Sequence, residues 1–397
     1  MTSTSEEASW AAEIAAAGAV GDEVDELLEY NRNHFDLKAL DGQPDLPLDD
    51  EPFVDTWRRW VEEGDAGGAY GVLRRHLPQL SFPIREGISR SDGYRAATLS
   101  GADPSTLESA TGLDLEDPDR VELSLYRSLA GHVPVLVMRR REDFVTLARA
   151  LGRRNEPAEI PDSMGALMVS GYNNWFRIRE LRERYEAQPE EERDAPTWRE
   201  AFAAIRQRKE LFQDRFVLLS DGPYSAVRAE DLGLDDGAWR EASLKIRRDH
   251  ECAHYFTRRL FGSMRNNLLD ELIADYAGIV AALGHYRADW FLRFIGLEDY
   301  PTYRAGGRLD LYRGDPPLSD GAFRVLQTLV KRAAESLQAF DDGRFGAPTG
   351  GDAPAREPRL QGAAIAALAT LRLDELAADD GAERMARAFA DVEQRLV

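Results

Sequence analysis

The sequence predicts a predominantly helical α+β protein with one small β-sheet. Apolar residues recur at helical spacing over most of the 397-residue chain. Four short runs have the composition of strands and are bounded by turn residues, which predicts strands at 121–126, 133–138, 165–170 and 216–220. Two long helices should follow the sheet, the first ending at Gly262 and the second at Gly284.

The order of these elements indicates four regions. We expect an N-terminal helical region at residues 1–120 and a central domain at 121–340. A flexible linker rich in Gly, Pro and Ala should follow at 341–358, and a C-terminal helical segment at 359–397. Within the central domain, the sheet should occupy 121–230 and the paired helices 236–285. The terminal helical regions could contact a protein partner.

Composition excludes several classes of function. The net charge of −21 disfavours a general attraction to nucleic acid or to an anionic membrane surface. No uninterrupted apolar stretch approaches the ~18 residues of a membrane-spanning helix. Glu6 and Glu7 stand where a secretory signal needs positive charge, and Cys252, the single cysteine, excludes an intrachain disulfide framework. We therefore expect a cytoplasmic protein without nucleic-acid or membrane partners.

One motif indicates a chemistry. His250-Glu251-x-x-His254 is an H-E-x-x-H sequence within the first long helix. Residues i and i+4 share one helix face, so the two imidazoles can bind one metal ion, with Glu251 beside a metal-bound water as general base. A random chain with six histidines would contain this motif roughly once in a hundred trials. A structural helix with salt-bridged polar residues is the bland alternative.

A carboxylate from the second helix is the expected third ligand. If the two helices are antiparallel, the chain runs about 10 Å beyond His254 and returns about 7 Å, which places Glu271 near the level of His254. Asp275 then lies near His250 and could orient its ring through a hydrogen bond. Most of the residues around Glu271 and Asp275 are apolar, which indicates that both carboxylates are buried. Burying them without a cation would cost several kcal/mol, and a bound metal ion would offset that cost.

These residues resemble the gluzincin branch of the zincin metallopeptidases, in which H-E-x-x-H is followed by E-x-x-x-D. The resemblance covers residues 236–285. It implies a zincin-like core, with a small sheet before the motif helix and an antiparallel partner helix. It also implies Zn²⁺ held by His250, His254 and Glu271, with Glu251 as general base and Asp275 orienting a ligand histidine.

An oxyanion stabiliser from outside the motif helix is also expected of such a hydrolase. His285, Tyr286 and Tyr172 are candidates, and Tyr224 and Tyr303 carry the same chemistry. The sequence does not choose among them.

The sequence thus predicts a zinc-dependent hydrolase, most simply a peptidase that cleaves amide bonds of a peptide or protein. Two alternatives remain open. One is a regulatory zincin-like protein that binds a protein partner without catalysis, and the other is a zinc hydrolase of small amides.

Overall fold

The computed structural model describes residues 4–346 and 356–396 and is divided into two compact units. The first unit joins the described residues up to Asp49 with those from Pro223 onward, and the second runs from Asp50 to Gly222. The predicted region boundary at residue 120 does not coincide with this division. The first 49 residues group with the C-terminal part of the chain.

The described residues form an α+β fold, as predicted. Its helices, numbered α1 to α15 along the chain, are Thr4–Ala16, Asp22–Tyr30, Val54–Gly67, Ala69–His76, Asp92–Ser100, Arg141–Leu147, Trp175–Ala187, Trp198–Ile205, Asp236–Phe261, Asn267–Leu283, Ala288–Ile295, Asp320–Phe345, Pro358–Thr370, Leu373–Leu376 and Gly381–Arg395. Its strands β1 to β4 are Val121–Ser128, Gly131–Met138, Ala166–Asn173 and Gln213–Ser220. None of the described helices combines the length and apolar character needed to cross a membrane.

The second unit is built around the sheet. Its strand order is β1-β2-β4-β3, with β2 and β4 parallel and the two outer pairings antiparallel. The central strands β2 and β4 are buried along most of their length, since helices of this unit cover them. Trp57 of α3 packs on Phe216 of β4, with ring centroids 4.9 Å apart. All four predicted strands are confirmed.

The first unit is organised around the helix pair α9 and α10. The side chain of Asp235 accepts a hydrogen bond from Ala238 N and caps α9, and Gly262 ends the helix in the left-handed conformation at φ 73°. Gly284 ends α10 in the same way. These boundaries are as the sequence predicts, because the capping residues are local signals.

The two helices are antiparallel and very close. His254 lies opposite Glu271, and Ile246 lies opposite Gly278, so the chain numbers rise on one helix as they fall on the other. A Cβ atom added at Gly278 would lie 2.7 Å from the carbonyl oxygen of Ile246. Glycine therefore allows the backbones to approach at this level. Every residue of α10 from Leu268 to Val280 is buried, as its apolar sequence predicts.

The predicted linker at 341–358 begins later than expected. Helix α12 continues to Phe345, because the buried Asp341 accepts hydrogen bonds from Tyr276 Oη and Tyr286 N, and Phe345 packs against Phe389. Tertiary contacts thus extend a helix that composition alone would end at residue 340. Residues 347–355 of the predicted linker lie outside the described residues. From Pro358 the chain is helical again.

Substitution Gly278→Ala should destabilise the protein by about 1–3 kcal/mol, because the added methyl group must push α9 and α10 apart. Urea denaturation followed by circular dichroism measures the change. Gly343→Ala is the matched control: this glycine is exposed in α12, a Cβ there meets no atom within 4 Å, and alanine should stabilise the helix by ~0.5–1 kcal/mol. Equal stability of the two variants would contradict the close approach.

Candidate metal centre

Helix α9 presents two imidazoles to one point. His250 and His254 are one turn apart on its buried face, with ring centroids 4.7 Å apart and ring planes at 85°. Their Nε2 atoms are 3.1 Å from each other. The i, i+4 spacing thus brings the two Nε2 atoms together on one face of the helix, as predicted.

The carboxylate of Glu271 completes a group of three ligand atoms. Its Oε1 lies 3.4 Å from Nε2 of His254, and its Oε2 lies 3.7 Å from Nε2 of His250. His250, His254 and Glu271 form a buried group that could hold a metal ion. Their side chains are 9–10% exposed.

Hydrogen bonding at Nδ1 of His250 determines that Nε2 is the nitrogen available to bind a metal ion. Nδ1 of His250 lies 2.8 Å from Oδ1 of Asp275, a carboxylate with no exposed surface. Since a carboxylate only accepts, Nδ1 carries the proton and Nε2 keeps its lone pair. Tyr224 supports this arrangement, because its hydroxyl donates to Oδ1 of Asp275 at 2.6 Å and lies 3.1 Å from Nδ1 of His250.

His254 also faces a carboxylate, at a longer distance. Its Nδ1 lies 3.4 Å from Oδ1 of Asp270, the residue just before Glu271, and both atoms are buried without a hydrogen-bond partner among the described residues. Burial lowers the pKa of His254, but its interactions with Asp270 and Glu271 outweigh burial and raise the pKa well above its usual value. In the absence of a metal ion, His254 therefore binds a proton, and this proton competes with a metal ion for the imidazole.

Arg308 brings a positive charge to the same carboxylates. Its Nη2 donates to Oδ2 of Asp275 and lies 3.8 Å from Oε2 of Glu271, while its Nη1 donates to the Tyr224 hydroxyl at 2.7 Å. Burial raises the pKa of Asp275, but Arg308 and His250 outweigh it and the pKa is lowered. Burial also raises the pKa of Glu271, and His254, His250 and Arg308 together reverse that effect. Both carboxylates are therefore ionised.

The donor set fits a zinc ion. A tetrahedral zinc ion with bonds of 2.0–2.1 Å separates its ligand atoms by roughly 3.3 Å. The two histidine nitrogens are 3.1 Å apart, and the distances to Glu271 are 3.4 Å from Nε2 of His254 to Oε1 and 3.7 Å from Nε2 of His250 to Oε2. With one ligand atom taken from each residue, the three atoms lie within 4.8 Å of one another, a spacing that a small shift of the side chains would bring to that of a zinc site. Two nitrogen lone pairs and a carboxylate that face one another at these distances repel unless a cation or a proton lies between them.

The predicted general base is near this group but not part of it. Glu251 is half-buried and follows His250 on α9, about 100° around the helix. Among the described residues its carboxylate has no hydrogen bond or ion pair.

Of the predicted oxyanion stabilisers, Tyr224 is at this group, where its hydroxyl contacts Asp275 and His250. His285 and Tyr286 follow the end of α10, which rises about 18 Å between Glu271 and Leu283. Nδ1 of His285 contacts the Leu283 carbonyl oxygen, and Tyr286 packs on Tyr276. The pKa of Tyr286 is raised by burial and then by the charge of Asp275. Tyr172 belongs to the second unit, where its hydroxyl donates to Gln79. The hydroxyl of Tyr303 donates to the Gly307 carbonyl oxygen.

Sequence reasoning missed the contribution of the segment Arg308–Tyr312, a single turn of 3-10 helix. Besides Arg308 it supplies Tyr312, whose phenol pKa is raised by burial and then by the charge of Glu271. The Tyr312 carbonyl oxygen accepts from Tyr30 Oη at 2.6 Å, and Tyr30 Oη accepts from Leu268 N in the first turn of α10. No local pattern marks these residues, because more than thirty positions separate them from Glu271.

Fold and site together define an α+β protein with a buried His-His-Glu group able to hold a metal ion. Over residues 12–380 the chain matches a family of unknown function, DUF7005. The match spans most of the sequence, so the chain belongs to this family. Comparisons with curated proteins and with solved structures gave no match.

Substitution Glu271→Ala should weaken zinc binding by more than about 100-fold, because it removes a ligand atom. Loss of a residue that only supports a ligand typically weakens binding by about 10- to 100-fold. Elemental analysis of purified protein and competition with a chelating dye measure the loss. Glu335→Ala is the control, since that side chain pairs with Lys331 on the surface of α12. Unchanged zinc content in the Glu271 variant would exclude Glu271 as a ligand.

Substitution Tyr224→Phe should weaken zinc binding by about 10- to 100-fold, because it removes the hydroxyl that ties Asp275 to Arg308 beside His250. The same chelator competition measures it. Tyr300→Phe removes a hydroxyl that contacts Thr328 instead and should bind zinc as the wild type does. If both variants bind zinc equally, the Tyr224 hydroxyl does not position His250.

Proposed function

We propose that this protein is a zinc-dependent hydrolase of amide bonds, with peptides or proteins as substrates. The observation that carries the proposal is the convergence of His250, His254 and Glu271, each of which offers one ligand atom within 4.8 Å of the other two. Three protein ligands are typical of catalytic zinc, because structural zinc sites use four.

His250, His254 and Glu271 would hold the zinc ion, and Asp275 and Asp270 would keep the two imidazoles in the tautomer that binds it. When bound, zinc acts as a Lewis acid that polarises the substrate carbonyl and acidifies water. Glu251 would accept a proton from the attacking water and deliver it to the leaving amine. Its half-buried carboxylate has the freedom that this task requires.

The resemblance to gluzincins supports the same assignment, since the ligand and base positions derived from the geometry are those of H-E-x-x-H followed by E-x-x-x-D. The phenol of Tyr312, whose pKa is raised by burial and then by the charge of Glu271, is a further candidate for the group that stabilises an oxyanion, beside those chosen from the sequence. The single cysteine is consistent with action in the cytoplasm, a reducing compartment.

Substitution Glu251→Gln should retain stoichiometric zinc and lower peptide hydrolysis by about 10²- to 10⁴-fold, because the amide cannot accept the proton. Mass spectrometry of a peptide library incubated with the zinc-loaded protein measures cleavage. Glu241→Gln on the same helix is the matched control, because its exposed side chain pairs with Lys245.

Full cleavage by the Glu251 variant would contradict its role as base. A wild type that binds zinc, leaves every peptide intact and hydrolyses small amides would restrict the substrate class. A zinc-loaded wild type that hydrolyses neither would favour a non-catalytic zincin-like protein.

A further inference from the structure

The two terminal nitrogens of the Arg308 guanidinium contact different groups. Nη1 donates to the Tyr224 hydroxyl at 2.7 Å and to Oγ of Ser225 at 3.1 Å. Nη2 donates to Oδ2 of Asp275 and faces Oε2 of Glu271 at 3.8 Å. The planar fork therefore has a fixed orientation before any metal ion binds.

The two oxygens of Glu271 are consequently in different surroundings. Oε1 is the oxygen near Nε2 of His254, at 3.4 Å. Oε2 lies between Nε2 of His250 at 3.7 Å and Nη2 of Arg308 at 3.8 Å, and it is buried without a hydrogen-bond partner among the described residues. Two positive charges, a metal ion and the guanidinium, would compete for this oxygen.

A glutamate can bind a metal ion through one oxygen or through both. Binding through both occupies an additional coordination position, and a catalytic zinc site needs that position for water and substrate. A buried guanidinium that attracts Oε2 disfavours binding through both, because the charge interaction is strong where water is scarce.

We infer that Arg308 is a positioning residue whose guanidinium holds Oε2 of Glu271, so that Glu271 offers a single oxygen to the metal ion. The inference rests on the metal centre of the proposed function but not on its hydrolytic activity. It assigns to Arg308 a role in the coordination number of the metal ion. The segment 308–312, far from the ligands in sequence, is then part of the metal centre.

Cobalt(II) substitution tests this assignment without a substrate. The visible absorption of a four-coordinate cobalt(II) site is severalfold stronger than that of a five-coordinate site, so intensity reports the number of ligand atoms. Wild-type protein should give the strong spectrum. Arg308→Gln should give a severalfold weaker spectrum, because Oε2 of Glu271 is released and can bind the metal ion as well.

The glutamine variant could fail to fold, because the buried Asp275 loses its charged partner; circular dichroism detects such a failure. Arg308→Lys keeps the positive charge beside Asp275 and serves as the second variant. An ammonium group lacks the fork, so it should remain with Asp275, the closer carboxylate, and release Glu271. The lysine variant should therefore show the same weaker spectrum. Arg313→Gln is the matched control, since Arg313 contacts Asp320 and the Leu318 carbonyl oxygen and its variant should keep the wild-type spectrum.

A folded lysine variant with the wild-type spectrum would overturn the role of Arg308 and leave the metal centre intact. A weak spectrum in the wild type itself would also overturn it. Failure of the wild type to bind cobalt(II) or zinc at all would overturn the inference together with the proposed metal centre.

Discussion

Three carboxylates buried in the first turns of one helix impose the constraint on which the site depends. Asp270, Glu271 and Asp275 are each at most 8% exposed. Their negative charges are tolerable only if positive charge or hydrogen-bond donors surround them. Arg308 offsets one charge, and a divalent cation bound between the two histidines would offset the other two. In the metal-free protein, protonation of His254 serves the same purpose in part, as its raised pKa indicates.

The backbone of the helix pair makes this arrangement precise. Gly278 brings α10 against the backbone of Ile246, about one turn beyond the level at which Asp275 meets His250. Since α10 is buried throughout this stretch, packing determines the rotation of the helix about its own axis. The four-residue interval from Glu271 to Asp275 equals the interval from His250 to His254, and the antiparallel helices place Glu271 opposite His254 and Asp275 opposite His250. Each histidine thereby meets a carboxylate of the facing helix without any loop contributing a ligand.

Local signals explain what could be predicted from the sequence. Asp235, Gly262 and Gly284 delimit the two helices through capping, and short strand-like runs bounded by turn residues predict the four strands. The positions of Glu271 and Asp275 followed from helix rise alone. Arg308, Tyr312 and the role of Tyr224 could not be predicted, because their contacts depend on how the chain after α11 returns to the helix pair. Helix α12 exceeds its predicted end for a related reason: the partners of Asp341 are distant in sequence.

The central claim is that His250, His254 and Glu271 bind one divalent metal ion. X-ray absorption spectroscopy at the zinc edge of the zinc-loaded wild type tests it most directly. The geometry predicts two imidazole nitrogens and carboxylate oxygen at about 2.0–2.1 Å, with no sulfur ligand. A first shell without imidazole, a sulfur ligand at about 2.3 Å, or a protein that retains no zinc would contradict the account.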